Sequence, residues 1–580
     1  MPGFLLAVNT QQSALNKAVS LLHFDHRYSC ITILEKNSLF LATNSYQEYP
    51  MEIFEFGDTI VLFEGIIYNK SPESIREFLI SLISEEGFNQ QLIEPWLATT
   101  DGEFVVVLYN KQSSKILIFN DIFGRLPVYY AVQNKTFVIS REISFVKAMI
   151  SNLEYDRFAI ASTLLFGYVP GYKTLWKGIY RLPYNSVVLF DIEENKFTID
   201  EGERITIQND GDNCGKNPEE KLFELLVKGT INRINCLSKP SLALSGGLDS
   251  RLIAGILVNN KLKANYLTYN EKGGSADADL IAVDQIVKLL KIEEHHKIIE
   301  LGSTDETSME VLLNMKQGLN YLGMAFLIPF LNYFRDNDLQ QITGDGGDKI
   351  LADLRPAIPL RNECDFLKYL VAKNALMPLD KVLKMVSLSK NDFFTELIHI
   401  VNTYRAITYE EKYALFLLQE RAMVWLFEGE DRNRYFAWIT TPFYSTEFAL
   451  KALSLPMKSK KHGKLFLTFF KKLESGLETI PNPNWKLAPD QQLLIRWLFL
   501  KQRIKFSLPI SFYKASKLKV KASSEIESII SEIRIEMEKL KEVKPDWFHF
   551  EVIDDELLRH EEFNWYLRTI IELWKKSHII

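Results

Sequence analysis

The tract Ser241-Leu242-Ala243-Leu244-Ser245-Gly246-Gly247-Leu248-Asp249-Ser250 constrains this chain more than any other. It reads as a short apolar strand, a Ser-Gly-Gly turn and a helix that begins near Asp249 and runs through Val258. A glycine turn lets backbone N–H groups approach an anion, and the helix N-terminus adds partial positive charge. Ser245 and Ser250 carry hydroxyls that can donate to phosphate oxygens. Asp249 would repel a bare phosphate, so its expected work is to hold a Mg²⁺ that bridges phosphate oxygens. The turn lacks a lysine and has the wrong glycine spacing for a Walker loop. A plain Ser/Gly turn in an α/β protein is the bland alternative.

Ser245-Gly246-Gly247-Leu248-Asp249-Ser250 after a strand resembles the pyrophosphate loop of the asparagine synthetase family. The resemblance implies ATP and Mg²⁺ as cofactors. It also implies cleavage of ATP to AMP and pyrophosphate, activation of a carboxylate as an acyl-adenylate, and attack by an amine to give an amide.

The chain has 580 residues, room for two or three domains at roughly 150 residues each. Its 68 basic and 74 acidic residues leave a net charge of −6, which argues against a nucleic-acid partner. Cys30, Cys214, Cys236 and Cys364 are scattered. That pattern suits a reducing cytoplasm and argues against a zinc site. Neither a signal peptide nor a membrane span is expected.

Residues 1–205 read as an α+β domain of antiparallel sheets. Strands are expected at Asp58–Ile66, Phe104–Tyr109, Lys115–Phe119, Val128–Val132 and Ser186–Asp191, and helices at Ser71–Ser84 and Arg157–Gly167. Asp200–Pro218 reads as a polar linker. Residues 218–580 alternate helix and strand at first, which predicts an α/β domain on a parallel sheet. From Leu351 the pattern is largely helical. Ser523–Glu542 reads as a surface helix rather than a zipper, because its heptads are not sustained.

A second glycine turn, Gly344-Asp345-Gly346-Gly347-Asp348, also follows an apolar stretch. Alone it fits a calcium loop or a simple turn. Two Asp-bearing turns at the ends of neighbouring strands could instead meet at one Mg²⁺-pyrophosphate. By resemblance, Asp348 matches the family's metal-linked Asp, paired with Asp249. Asp345 matches a position beside the substrate, and Gly344 and Gly346 shape the loop. Lys349-Ile350 departs from the family's Glu-Leu. Thr268 and Tyr269 end the strand where relatives hold adenine, and Asp277 and His296 sit in familiar places. His296 is read as a strand-end histidine without chemistry.

Asp431-Arg432, Thr441-Pro442-Phe443, Leu455-Pro456, His462-Gly463-Lys464 and Ile480-Pro481 follow the order of the family's C-terminal half. Lys486 falls where relatives place a buried lysine that steadies the adenylate and departing pyrophosphate; a solvated surface lysine is the alternative. Glu428 and Glu430 resemble the region that supplies the cyclisation base of β-lactam synthetases, with Glu428 taken as that base.

The N-terminal third resembles a glutamine amidotransferase domain of N-terminal-nucleophile (Ntn) hydrolase type. The resemblance rests on Phe63-Glu64-Gly65-Ile66-Ile67-Tyr68-Asn69, Asp121-Ile122-Phe123-Gly124-Arg125-Leu126-Pro127-Val128-Tyr129-Tyr130 and Ser140-Arg141-Glu142-Ile143. The family uses an N-terminal Cys whose own amine is the base. Here residue 2 is Pro, and Glu64 replaces the Asn that stabilises the oxyanion. The expectation is a domain that releases no ammonia.

In relatives with the same loss the amine belongs to the substrate. The favoured expectation is a lasso-peptide macrolactam cyclase acting on a leader-cleaved precursor peptide, with a leader-binding protein and a protease as pathway partners. An amide synthetase for a small molecule or glycan and a non-enzymatic scaffold are the alternatives. The unusual Arg251 keeps the small-molecule reading open. The aromatic residues of 351–434 are candidates to floor a peptide-sized cavity, although most are expected to be core.

Overall fold

The computed structural model describes residues 1–22, 25–36, 39–85, 87–207, 217–271, 277–302, 304–507, 524–542 and 544–579. The first domain stacks two antiparallel six-stranded sheets. One runs in the order Ile179–Arg181, Tyr129–Gln133, Thr136–Ser140, Gly3–Val8, Leu39–Ser45, Ser29–Lys36. The other runs Lys196–Glu201, Ser186–Asp191, Lys115–Asn120, Gly102–Asn110, Thr59–Ile67, Met51–Phe56. The central strands of the second sheet are apolar on both faces. Ile60, Leu62, Val105 and Val107 join the core between the sheets. Val61, Phe63, Phe104 and Val106 pack under the helix Pro72–Ser81 through Leu79. Burial on both faces explains why these strands read as continuous apolar runs.

The two expected helices form with clear end signals. Ser71 caps Pro72–Ser81 by accepting from Ser74 N at 3.3 Å. Asp156 caps Arg157–Phe166, and Gly167 closes that helix at φ 85°. The expected strands form within a few residues of their predicted bounds. The linker reading meets the strand Lys196–Glu201, which extends into its first residues; residues 208–216 and Cys214 lie outside the described residues.

The second domain opens with the helix Pro218–Cys236 and builds one parallel sheet in the order His296–Leu301, Asn265–Glu271, Pro240–Ala243, Gln340–Ile342, Ile439–Thr440. The chain leaves the 240–243 strand to one side and later returns to its other side through 340–342. That reversal of strand order is a topological switch point, where open α/β sheets bind ligands. The remainder is mainly helical, including a π-helix at Leu417–Leu426. Ser524–Lys539 buries Ile530, Ile533 and Met537, as a surface helix does. No described helix is long and apolar enough to cross a membrane.

The two domains are joined by buried ion pairs. Arg141 of the first domain binds Glu64 at 2.9 Å and also Asp431 of the second. Lys316 reaches Asp431 at 2.8 Å and also binds Glu428, which Arg181 holds from the first domain. Arg233 grips Asp101 at 2.8 and 3.0 Å. Such pairs contribute little net stability when intact, but an unpaired survivor is costly.

Candidate active site

The first loop leaves the 240–243 strand and enters the helix Leu248–Asn259. Ser250 Oγ accepts from Ser245 N and donates to Ser245 O, both at 3.1 Å, which closes the turn on itself. Ser245 Oγ accepts from Gly247 N at 3.3 Å, and the Ser245 side chain remains exposed. Gly246 is packed so closely that a Cβ would meet Ala282 Cβ at 2.8 Å and Pro483 Cγ at 2.9 Å.

The second loop follows the 340–342 strand, which pairs in parallel with 240–243. The two loops touch. A Cβ on Gly344 would lie 2.3 Å from Ser250 N, and one on Gly347 would lie 2.6 Å from Asp249 Oδ1. Gly346, at φ 89°, backs onto the Tyr444 ring. These contacts require glycine: Gly344 lies against the Ser250 backbone, Gly346 against the Tyr444 ring and Gly347 against the Asp249 carboxylate.

The carboxylates of the two loops act on one another. Burial first, and then the charges of Asp348 and Asp345, raise Asp249 well above the ordinary carboxylate range. The Lys349 ammonium and the Asp348 backbone N–H pull the other way. A divalent cation between Asp249 and Asp348 would relieve that repulsion, and an all-oxygen donor pair suits Mg²⁺. Among the described residues no group of three or more metal-ligating side chains is gathered. Mg²⁺ held by two carboxylates and substrate phosphates needs no such cage.

The other sequence-derived residues are placed less uniformly. Thr268 Oγ1 donates to Leu244 O at 2.8 Å and lies 3.0 Å from His296 Nε2, so it ties strand ends together. Tyr269 is partly exposed and packs edge-on to Phe326 and Phe330. The Asp277 side chain lies outside the described residues.

Lys486 sits at φ 56° in the turn Asn482–Leu487. The turn is moored beside the first loop, because Pro483 meets Gly246. Arg251 bridges the same two segments, donating to Gly246 O at 2.6 Å, Ile480 O at 2.6 Å and Pro481 O at 3.1 Å. Arg251 is therefore a buried bracket and carries no information about the substrate. The Lys486 side chain is exposed, where the sequence reading expected a buried ammonium.

Glu428 needs correction as a candidate base. It is buried between Arg181 and Lys316 and accepts from Tyr129 Oη at 2.6 Å. Burial pushes its carboxyl up, but Lys316 and Arg181 more than offset this and hold it below the usual range. A carboxylate so held is a weak proton acceptor. Glu430, two residues on, feels the charge of Asp345, and burial raises its carboxyl to about 7. Its importance was hidden in the sequence, because only the fold shows which of two neighbouring glutamates faces the second loop.

Where the resemblance places the amidotransferase centre, Glu64 accepts from Arg141 Nε at 2.9 Å, Tyr49 Oη at 2.6 Å and Phe4 N at 3.2 Å. Arg141 packs against Gly3, where a Cβ would meet its Cγ at 2.4 Å. A paired carboxylate and guanidinium thus fill the place where the resemblance puts an oxyanion-stabilising amide.

Residues 41–201 match the family model for a glutamine amidotransferase domain. A protein of Methanocaldococcus jannaschii, provisionally named as a glutamine-hydrolysing asparagine synthetase, is 23% identical over 282 residues, 48% of each chain. One from Acanthamoeba polyphaga mimivirus with a similar provisional name is 27% identical over 226 residues, 38% of each. The matched region thus spans about half, or less, of these relatives' length. Among solved structures, an allosteric regulatory enzyme of purine biosynthesis overlaps 70% of this chain and 94% of its own at 9% identity and a TM-score of 0.25. The glutamine phosphoribosylpyrophosphate amidotransferase of B. subtilis, complexed with ADP and GMP, overlaps 70% and 95% at 8% identity and the same TM-score. Likeness that low carries no argument. By these matches the chain is similar to proteins named as asparagine synthetases, and its residues 41–201 match a glutamine amidotransferase domain.

Proposed function

We propose that this chain is an ATP-dependent, AMP-forming carbon–nitrogen ligase whose attacking amine is carried by its own substrate. The observation that supports it best is the contact of two Asp-bearing glycine loops at the switch point of a parallel sheet. Ser245, Gly246, Gly247 and Ser250 would cradle pyrophosphate, and Asp249 with Asp348 would hold Mg²⁺, which supplies charge neutralisation at the phosphates. Thr268 and Tyr269 would border adenine, Asp345 would line the acyl site, and Lys486 would swing onto the phosphates from its moored turn. The Glu64–Arg141 pair supports the absence of glutamine hydrolysis, because a carboxylate in that place repels a developing oxyanion.

In finer detail, we assign the substrate as a peptide closed to a macrolactam: an Asp or Glu side-chain carboxylate is activated and the N-terminal amine attacks it. Proximity on one chain makes ring closure competitive with hydrolysis. A leader-binding protein and a protease would be its pathway partners. A second reading, a small-molecule amide synthetase, is favoured by one observation. Phe366, Phe393, Tyr404, Tyr413, Phe416 and Phe427 are fully packed core and do not floor a groove. Mass spectrometry of a leader-free precursor peptide incubated with enzyme, ATP and ¹⁵N-ammonium separates the two. Loss of one water without label supports the cyclase; labelled product makes the chain an open-chain amide synthetase.

A further inference from the structure

The helix Gln492–Ser507 carries an apolar stripe that the rest of the chain does not cover. Leu493 is 79% exposed, and Leu494, Trp497, Leu500 and Ile504 are each more than half exposed. At 3.6 residues per turn, Leu493, Trp497, Leu500 and Ile504 fall within an arc of about 60°. The opposite side anchors the helix. Ile495 is buried there, and Phe499 packs edge-on against His462 at 5.3 Å and Trp485 at 6.1 Å. The stripe therefore faces outward.

The charges of the helix are arranged about that stripe. Lys501 and Lys505 fall on one flank, and Arg496 and Arg503 on the other. The helix holds no Asp or Glu. Lys501 Nζ stands 3.2 Å from the centroid of the Trp497 ring. Lys458, Lys461 and Lys464, on either side of His462, are also exposed. A chain of net charge −6 thus presents a basic corner with an apolar crest.

Several kinds of partner carry the opposite charge, and the crest separates them. Nucleic acid would leave Leu493, Leu500 and Ile504 against hydrated phosphates. A second copy of the same helix would set four cations against four. A groove on an acidic protein would take the stripe, but it must also offer carboxylates on both rims. An anionic lipid surface meets both demands at once. The stripe enters the acyl boundary, Trp497 sits at headgroup level, and the cations of both flanks reach lipid phosphates.

We propose that Gln492–Ser507 is a membrane-surface helix that docks the chain onto bilayers bearing anionic headgroups. It lies in the interface and does not cross it, since no described helix is long and apolar enough to span. The proposal does not depend on the ligase reading. Phe499 touches Trp485, the neighbour of Lys486, so a docked chain holds the Asn482–Leu487 turn close to the lipid surface.

Flotation of the full chain with lipid vesicles tests this. One set is phosphatidylcholine alone, and the other contains about 30% phosphatidylglycerol. The anionic vesicles should bind at least about tenfold more tightly, and raising salt from about 0.1 M to about 0.5 M should weaken that binding. Leu493→Ser with Leu500→Ser should lose at least about tenfold in affinity for the anionic set, and Arg496→Glu with Lys501→Glu as much. All four side chains are exposed, so folding should survive, and thermal unfolding checks it. Brominated lipid should quench wild-type tryptophan fluorescence more than that of Trp497→Phe. Equal binding to both vesicle sets, or binding untouched by the double serine change, overturns the proposal. Should the serine variant not fold, equal quenching in wild type and Trp497→Phe overturns it instead. A concentration-dependent dimer that Leu500→Ser abolishes would give the stripe to a second copy. Binding of an acidic amphipathic peptide, with neither vesicle set bound, would give it to a protein partner. Either result contradicts the lipid assignment.

Discussion

Asp249→Asn and Asp348→Asn are each expected to abolish pyrophosphate–ATP exchange, by at least about a thousandfold, while the chain still folds. The reason is local. Asp249 is half-buried at the point where the two loops touch, and its main like-charged neighbour is Asp348. Neutralising either removes half of the oxygen pair that would hold a divalent cation against two phosphates. A metal that polarises phosphoryl oxygens is worth several kcal/mol of transition-state stabilisation, and about 4 kcal/mol is a thousandfold. Folding should survive, because removing one of two mutually repelling carboxylates relieves strain; thermal unfolding of each variant checks this. Retention of more than a tenth of wild-type exchange with Mg²⁺ would remove that residue from the metal site.

The second large effect is on stability. Arg141→Met should destabilise the protein by about 3–5 kcal/mol, since it strands Glu64 in one domain and weakens the pairing of Asp431 in the other. Asp431 keeps Lys316, so the heavier loss falls on Glu64. Adding Glu64→Gln to Arg141→Met should recover part of that loss, because the pair is then removed together. Urea unfolding followed by tryptophan fluorescence measures both. A change below about 1 kcal/mol in Arg141→Met would mean that Tyr49 and Phe4 satisfy Glu64 without the guanidinium.

Much of this was legible in the sequence, for reasons that can be named. The two glycine loops could be read because close contact admits only glycine, and that requirement leaves letters behind: Gly344 against the Ser250 backbone, Gly347 against the Asp249 carboxylate. The helices at 72–81 and 157–166 carry their own caps in Ser71, Asp156 and Gly167. The strand Gly3–Val8 is not legible, because both of its partners, Leu39–Ser45 and Thr136–Ser140, are distant in sequence. The interdomain ion pairs were illegible for the same reason. Arg125 and Glu430 are 305 residues apart, and nothing in either neighbourhood announces the other. Glu428 looked as good a base as Glu430 because the sequence shows spacing and not which face meets Arg181 and Lys316.

The most direct test of the central claim follows both products of ATP and the fate of glutamine in one reaction. Purified chain is incubated with α-labelled ATP, Mg²⁺, glutamine and an Asp- or Glu-containing peptide with a free N-terminus. The account predicts AMP and pyrophosphate in step with a peptide that loses one water, and no glutamate above a buffer blank. ADP with phosphate would contradict the adenylate chemistry, and glutamate released in step with ATP use would contradict the substrate-borne amine.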